Sequence, residues 1–71
     1  MKNYDYDMSF GDFLILIESK GLSFPLRRCG SPLFRKRILM QLEKGMTVDE
    51  IYNDYSMLFY GVPFPKDKGS K

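Results

Sequence analysis

Three stretches of the chain carry signals for the beginning of a helix, and two of them also carry a signal for its end. Each stretch begins at a serine or threonine whose hydroxyl can accept a hydrogen bond from a free N–H group of the first turn. Gly21 and Gly45 follow the first two stretches and suit the left-handed conformation that closes many helices. These signals predict three helices, over residues 9–20, 31–44 and 47–58.

The first predicted helix is apolar around most of its surface. One stripe at helical spacing holds Phe10, Phe13, Leu14 and Ile17. Ile15 and Leu16 add apolar side chains on the other faces, so we expect a central helix that is covered on most sides. The alternative for residues 13–17 is a buried strand, because short apolar runs suit both structures. The capping residues at the two ends, Ser9 and Gly21, favour the helix.

The other two predicted helices carry narrower stripes. The stripe of the second helix consists of Phe34, Ile38 and Leu42. The stripe of the third helix consists of Val48, Ile51, Tyr52, Tyr55, Leu58 and Phe59. Thr47 and Glu50 have the spacing of a reciprocal capping box, which places the start of the third helix.

Two further stretches have the pattern of short extended pieces. Apolar side chains alternate over residues 22–26, and residues 60–65 are apolar with two prolines. The sequence therefore predicts a mainly α fold, a small three-helix domain similar to a helix-turn-helix, with one or two short strands. Residues 1–8 are assigned to an N-terminal extension, residues 9–65 to a single helical domain and residues 66–71 to a flexible tail.

The charges are strongly segregated along the chain. The formal net charge of +2 is the balance of −3 over residues 1–19, +6 over residues 20–44 and −1 over residues 45–71. The basic segment contains the candidate binding residues Arg27, Arg28, Arg35, Lys36 and Arg37, with Lys20 and Lys44 beside them. Such a run suits nucleic-acid phosphates or an acidic protein surface. The remaining interpretation is a solvated surface that binds nothing.

The composition excludes several kinds of chemistry. The chain contains no histidine, so it lacks the base of Ser-His-Asp and Cys-His catalysis and the commonest zinc ligand. Cys29 lies near a helix start beside Arg28, where a thiolate is favoured, but without a general base an ordinary cysteine, at the surface or half-buried, is the better interpretation. We therefore predict no enzymatic activity, no metal and no cofactor.

The predicted location is the cytoplasm. A lone cysteine cannot form an internal disulfide and is typical of a reducing compartment. The longest unbroken apolar run, residues 13–17, is much shorter than a membrane-spanning helix. No membrane association is expected.

The strongest local resemblance lies in residues 38–58. After a helix, residues 45–58 read G-M-T-V-D-E-I-Y-N-D-Y-S-M-L. This is similar to the antitoxin-like helix-turn-helix family known as DUF433, whose pattern is G-[MS]-[ST]-x-x-E-I-x-x-x-Y-x-x-L. The resemblance implies a DNA-binding regulator. Because Asp49, Glu50 and Asp54 of the third helix would repel phosphates, we assign the DNA contact to the basic segment over residues 27–37.

Two functional hypotheses follow from these patterns. The first is a small nucleic-acid-associated regulator that binds the phosphate backbone through its basic segment. The alternative is a small adaptor or inhibitor, of the kind found in phages and mobile elements, that binds an acidic surface of a host protein. Both a monomer and a homodimer are compatible with the sequence.

Overall fold

The computed structural model describes residues 4–61, which form four helices and no strand. These helices are α1 (Phe10–Ser19), α2 (Leu26–Cys29), α3 (Pro32–Glu43) and α4 (Val48–Tyr60). The predicted mainly α fold class is confirmed. The three predicted helices correspond to α1, α3 and α4, and α2 is a helix that the sequence did not predict.

The helix starts follow the predicted capping residues. The Oγ atom of Ser9 accepts from the backbone N–H of Asp12 at 3.1 Å, and Ser31 caps α3 in the same way. At the start of α4, Thr47 accepts from the N–H of Glu50 at 3.1 Å, and the Glu50 carboxylate accepts from the N–H of Thr47 at 2.9 Å. This capping box is confirmed as predicted.

The ends of α1 and α3 are closed by glycine in the left-handed region. Gly21 has a φ of +82° and Gly45 a φ of +83°. At the end of α3, the N–H of Gly45 donates to Leu42 and the N–H of Met46 donates to Gln41. These two bonds satisfy carbonyls that the helix itself cannot pair, so the chain turns sharply into α4.

Replacing Gly45 by alanine should therefore destabilise the protein by about 1–2 kcal/mol, because a Cβ atom is strained at this φ. A built Cβ meets no atom within 4 Å, so the loss is a backbone effect alone. Gly11→Ala is the matched control, since Gly11 lies within α1 and also has open space around it. Urea unfolding followed by circular dichroism should show Gly11→Ala neutral or stabilising. Equal losses for both variants would contradict the prediction.

The prediction of an extended piece over residues 22–26 is wrong. Leu22 and Phe24 are buried, as the alternation suggested, but they lie in an irregular loop without a strand partner among residues 4–61. The chain then enters α2 directly after Pro25, and Leu26 is 64% exposed. A single turn of helix has no apolar period of its own, so its pattern resembled a short strand.

The second expected extended piece lies mostly outside the described residues. Tyr60 belongs to α4, and Gly61 ends that helix with a φ of +77°. Residues 62–65 and the predicted tail over residues 66–71 are not described. Helix α4 thus ends two residues after residue 58, where the sequence predicted its end.

The core contains side chains from all four helices and from the loop between α1 and α2. Its buried apolar members are Phe13, Ile17, Leu22, Phe24, Cys29, Phe34, Ile38, Leu39, Ile51 and Tyr55. The segment before α1 also packs onto it through Tyr4, Tyr6 and Met8. The Glu43 carboxylate anchors this segment, because it accepts from the Tyr4 N–H at 2.8 Å and from the Tyr6 hydroxyl.

Helix α1 is less covered than its composition predicted. Phe13 and Ile17 are buried, but Ile15 is 69% exposed and Phe10 is 40% exposed. The expectation that α1 is covered on most sides is therefore wrong. A chain of this size has too few elements to surround any one helix.

Candidate binding face

The seven basic residues predicted to bind an anionic partner occupy three helices and their ends. Arg27 and Arg28 lie in α2, residues 35–37 lie in the first half of α3, and Lys44 is the C-cap of α3. Lys20 is the C-cap of α1 and lines neither of the two grooves described below. The basic residues that are close in sequence are thus divided between two helices, α2 and α3.

Arg35 is directed towards the protein and not towards solvent. Its Nη1 atom donates to the backbone carbonyl of Cys29 at 2.8 Å, which lies at the C-terminal end of α2. The guanidinium therefore supplies a hydrogen-bond donor to a carbonyl that has no partner within α2. This contact explains a cation in the first turn of α3, where the helix dipole disfavours it.

Arg37 is held by a carboxylate of α4. Its Nη2 and Nε atoms donate to Oδ2 of Asp54 at 2.9 and 3.2 Å, and the amide of Gln41 donates to the same oxygen at 2.7 Å. Within residues 4–61, Nη1 of Arg37 makes no hydrogen bond. The side chain of Arg37 remains 43% exposed, so the ion pair positions its guanidinium at the surface.

Arg28 lies over an aromatic ring. Its guanidinium carbon is 4.0 Å from the centre of the Phe59 ring, a cation–π contact between α2 and α4. Burial raises the pKa of the nearby Tyr55 hydroxyl, as does its hydrogen bond with Tyr60, while Arg28 opposes the shift. The Nε atom of Arg28 is buried and has no hydrogen-bond partner among the described residues.

Of the five cations in residues 27–37, Arg27 and Lys36 have the fewest contacts with other side chains or with the backbone. Both are exposed, and within residues 4–61 neither makes a hydrogen bond or ion pair. Three of the five cations thus have contacts inside the protein. The guanidinium groups of Arg28, Arg35 and Arg37 are therefore positioned by contacts with other residues of the chain.

Two adjoining grooves run along the outer side of α3. The first, here called the arginine groove, has a volume of about 620 Å³ and lies between α2, α3 and the end of α4. It is lined by Arg27, Arg28, Ser31, Leu33, Phe34, Arg37, Leu58 and Phe59. Its walls therefore combine three guanidinium groups with an apolar floor.

The second, here called the lysine groove, has a volume of about 390 Å³ and lies further along α3, towards the turn into α4. It is lined by Leu33, Lys36, Arg37, Met40, Gln41, Lys44, Met46 and Asp54. Leu33 and Arg37 line both grooves and form the ridge between them. The two grooves and this ridge together make up the candidate binding face.

The apolar residues of this face were not predicted as binding residues. Leu33 is 78% exposed, and Leu58 is 52% exposed although its position in the α4 stripe predicted a core residue. Leu58 lies at the edge of the stripe and lines the arginine groove, whereas the next residue, Phe59, packs against the core. The sequence does contain a signal that Leu33 is exposed. Leu33 lies outside the stripe that begins at Phe34, and cations follow it at residues 35–37.

A third groove, on the outer side of α4, has the opposite charge. It is lined by Met46, Asp49, Glu50, Asn53, Asp54 and Met57. It shares Met46 and Asp54 with the lysine groove, so basic and acidic surfaces meet directly along the turn between α3 and α4.

Cys29 has no access to solvent. It is completely buried in the core, and this burial raises the pKa of its thiol, while the charge of Arg35 opposes the shift. Exposure at the surface or half-burial, which the sequence favoured, is therefore wrong. The side chain packs as a small apolar residue.

Other features of the described residues bear on the class of protein. Among residues 4–61, no group of three or more cysteine, aspartate or glutamate side chains is placed to hold a metal ion. No helix of that range is long and apolar enough to cross a membrane. No protein-family model, curated protein or solved structure matches the chain. The resemblance of residues 38–58 to a helix-turn-helix therefore stays a prediction.

Proposed function

We propose that this chain is a small binding protein, an adaptor or inhibitor, whose candidate binding face docks an acidic protein surface. The observation that carries this proposal is the composition of the arginine groove, where arginines surround exposed leucines. Phosphate backbones use cations but offer little to an apolar side chain, whereas protein interfaces combine arginine with apolar anchors. Leu33, at the ridge, is the anchor of this face.

The distribution of charge also favours a protein partner over a nucleic acid. A duplex lying along the lysine groove would meet the carboxylates of Asp49, Glu50 and Asp54 at the adjoining acidic groove. Each phosphate near these groups would be repelled. A partner with a limited acidic patch can be placed on the basic side alone.

The test uses a synthetic helical peptide with one leucine flanked by glutamates, labelled for fluorescence anisotropy. We expect the peptide to bind and Leu33→Ser to weaken this binding by about tenfold or more, as for a central apolar anchor. Leu26→Ser is the matched control, because Leu26 is 64% exposed in α2 but lines neither groove. It should bind the peptide as the parent does.

Labelled duplex DNA at low salt separates the two functional hypotheses. Nucleic-acid binding predicts an affinity that falls steeply with salt, drops on Arg27→Gln with Lys36→Gln, and does not change on Leu33→Ser. That pattern, without peptide binding, would overturn the proposal in favour of the regulator. Failure of both probes to bind would overturn it in favour of a solvated surface.

A further inference from the structure

A second exposed surface is complementary to the arginine groove. The outer face of α1 consists of Gly11, Asp12, Ile15, Glu18 and Ser19, all of them exposed. At 100° per residue, Ile15 lies directly opposite the buried Phe13 and Ile17 of the same helix. No residue of this face lines either groove of the candidate binding face.

The α1 outer face has the pattern that the candidate binding face would select. Ile15 is 69% exposed and has Asp12 three residues before it and Glu18 three residues after it, so two carboxylates flank an aliphatic side chain. Leu33 in α3 has cations on one side, since Lys36 and Arg37 lie three and four residues after it. Glycine at position 11 keeps one side of Ile15 open.

We infer that a second copy of this chain docks its α1 outer face on the arginine groove. Ile15 of one copy would lie against Leu33 and Leu58 of the other, while Asp12 and Glu18 would face the guanidinium groups of Arg27 and Arg37. The inference rests on the proposed function, since it names a partner for the same face. The inference also gives a role to the separation of charge along the chain, with a net charge of −3 over residues 1–19 and +6 over residues 20–44.

The two contact surfaces are different, so the contact is head-to-tail. In a pair, one copy would keep an unused groove and the other an unused α1 outer face, which permits rings or open chains longer than a dimer. One helix face in one groove is a small interface, so the association is expected to be weak and dependent on concentration. Because charges carry part of it, raising the salt from about 0.1 M to about 1 M should weaken it, as the Debye length falls from about 10 Å to about 3 Å.

Sedimentation equilibrium of the purified chain tests this inference. The parent should show a mass that rises with concentration at low salt, whereas Ile15→Lys alone and Leu33→Asp alone should each remain monomeric. An equal mixture of these two variants should form a dimer and nothing larger, because the mixture contains one intact groove and one intact α1 face that meet. Met57→Lys is the control for added charge, since Met57 is 52% exposed on α4 and belongs to neither contact surface.

Several results would overturn the inference. They are a parent that stays monomeric at all concentrations, an Ile15→Lys variant that associates as the parent does, and a mixture that does not associate. Circular dichroism of each variant establishes that it is folded, which the exposure of both side chains leads us to expect. Acidic-peptide binding by Ile15→Lys is then the separate readout of the proposed function, since this variant retains the groove. A monomeric parent that binds the peptide would overturn the self-association alone.

Discussion

Replacing Phe13 by alanine is expected to unfold most of the protein at room temperature. Phe13 is fully buried in the centre of the core, and removal of a buried phenylalanine costs about 3–5 kcal/mol. A single core in a chain of this length rarely supplies more than about 3–5 kcal/mol of net stability. The loss is thus comparable with the whole free energy of unfolding.

The matched control lies two residues away on the same helix. Ile15→Ala removes an aliphatic side chain that is 69% exposed, so its effect on the free energy of unfolding should stay within about 0.5 kcal/mol. Urea unfolding followed by circular dichroism measures both variants. A Phe13→Ala protein that unfolds at nearly the parent's urea concentration would show that α1 does not pack as described.

Replacing Asp54 by alanine should cost about 2 kcal/mol, more than its partly exposed ion pair alone would suggest. Asp54 accepts hydrogen bonds from both Arg37 and Gln41, and Gln41 is only 9% exposed. Without the carboxylate, the buried amide of Gln41 loses its acceptor, and an unsatisfied buried donor costs about 1–3 kcal/mol. A surface ion pair by itself contributes about 0–1 kcal/mol.

Arg37→Ala separates these two contributions. It removes the ion pair but leaves the bond between Gln41 and Asp54 intact, so we expect a loss below about 1 kcal/mol. Both variants are measured by urea unfolding at neutral pH and moderate salt. Equal losses for Asp54→Ala and Arg37→Ala would contradict the assignment of the larger part to Gln41.

The placement of the helices was predictable because its signals are local. A capping hydroxyl, a reciprocal glutamate and a left-handed glycine act within four or five residues, and the structure has each of them where the sequence predicts it. Helix α2 was missed for the same reason, because four residues after Pro25 carry no such signal. Its single turn depends on burial of Cys29 and on the bond from Arg35, which are tertiary contacts.

The candidate binding face was predictable only in part. The basic residues and their crowding over residues 27–37 are visible in the sequence, but their directions are not. Arg35 points to a backbone carbonyl and Arg37 to Asp54, a partner 17 residues away. Leu33 and Leu58 became part of the face because no element covers them, which depends on where the neighbouring helices end.

The sequence by itself determined the helical class, the boundaries of three helices and the separation of acidic from basic segments, because these depend on short-range chemistry. The tertiary structure decided which cations are held inside, which apolar side chains stay exposed, and how the grooves combine the two. Those outcomes depend on packing between distant residues, and a chain with so small a core must leave part of its apolar surface exposed. Among the exposed apolar side chains of residues 4–61, Ile15 of α1 lies beside carboxylates and Leu33 of α3 lies beside cations.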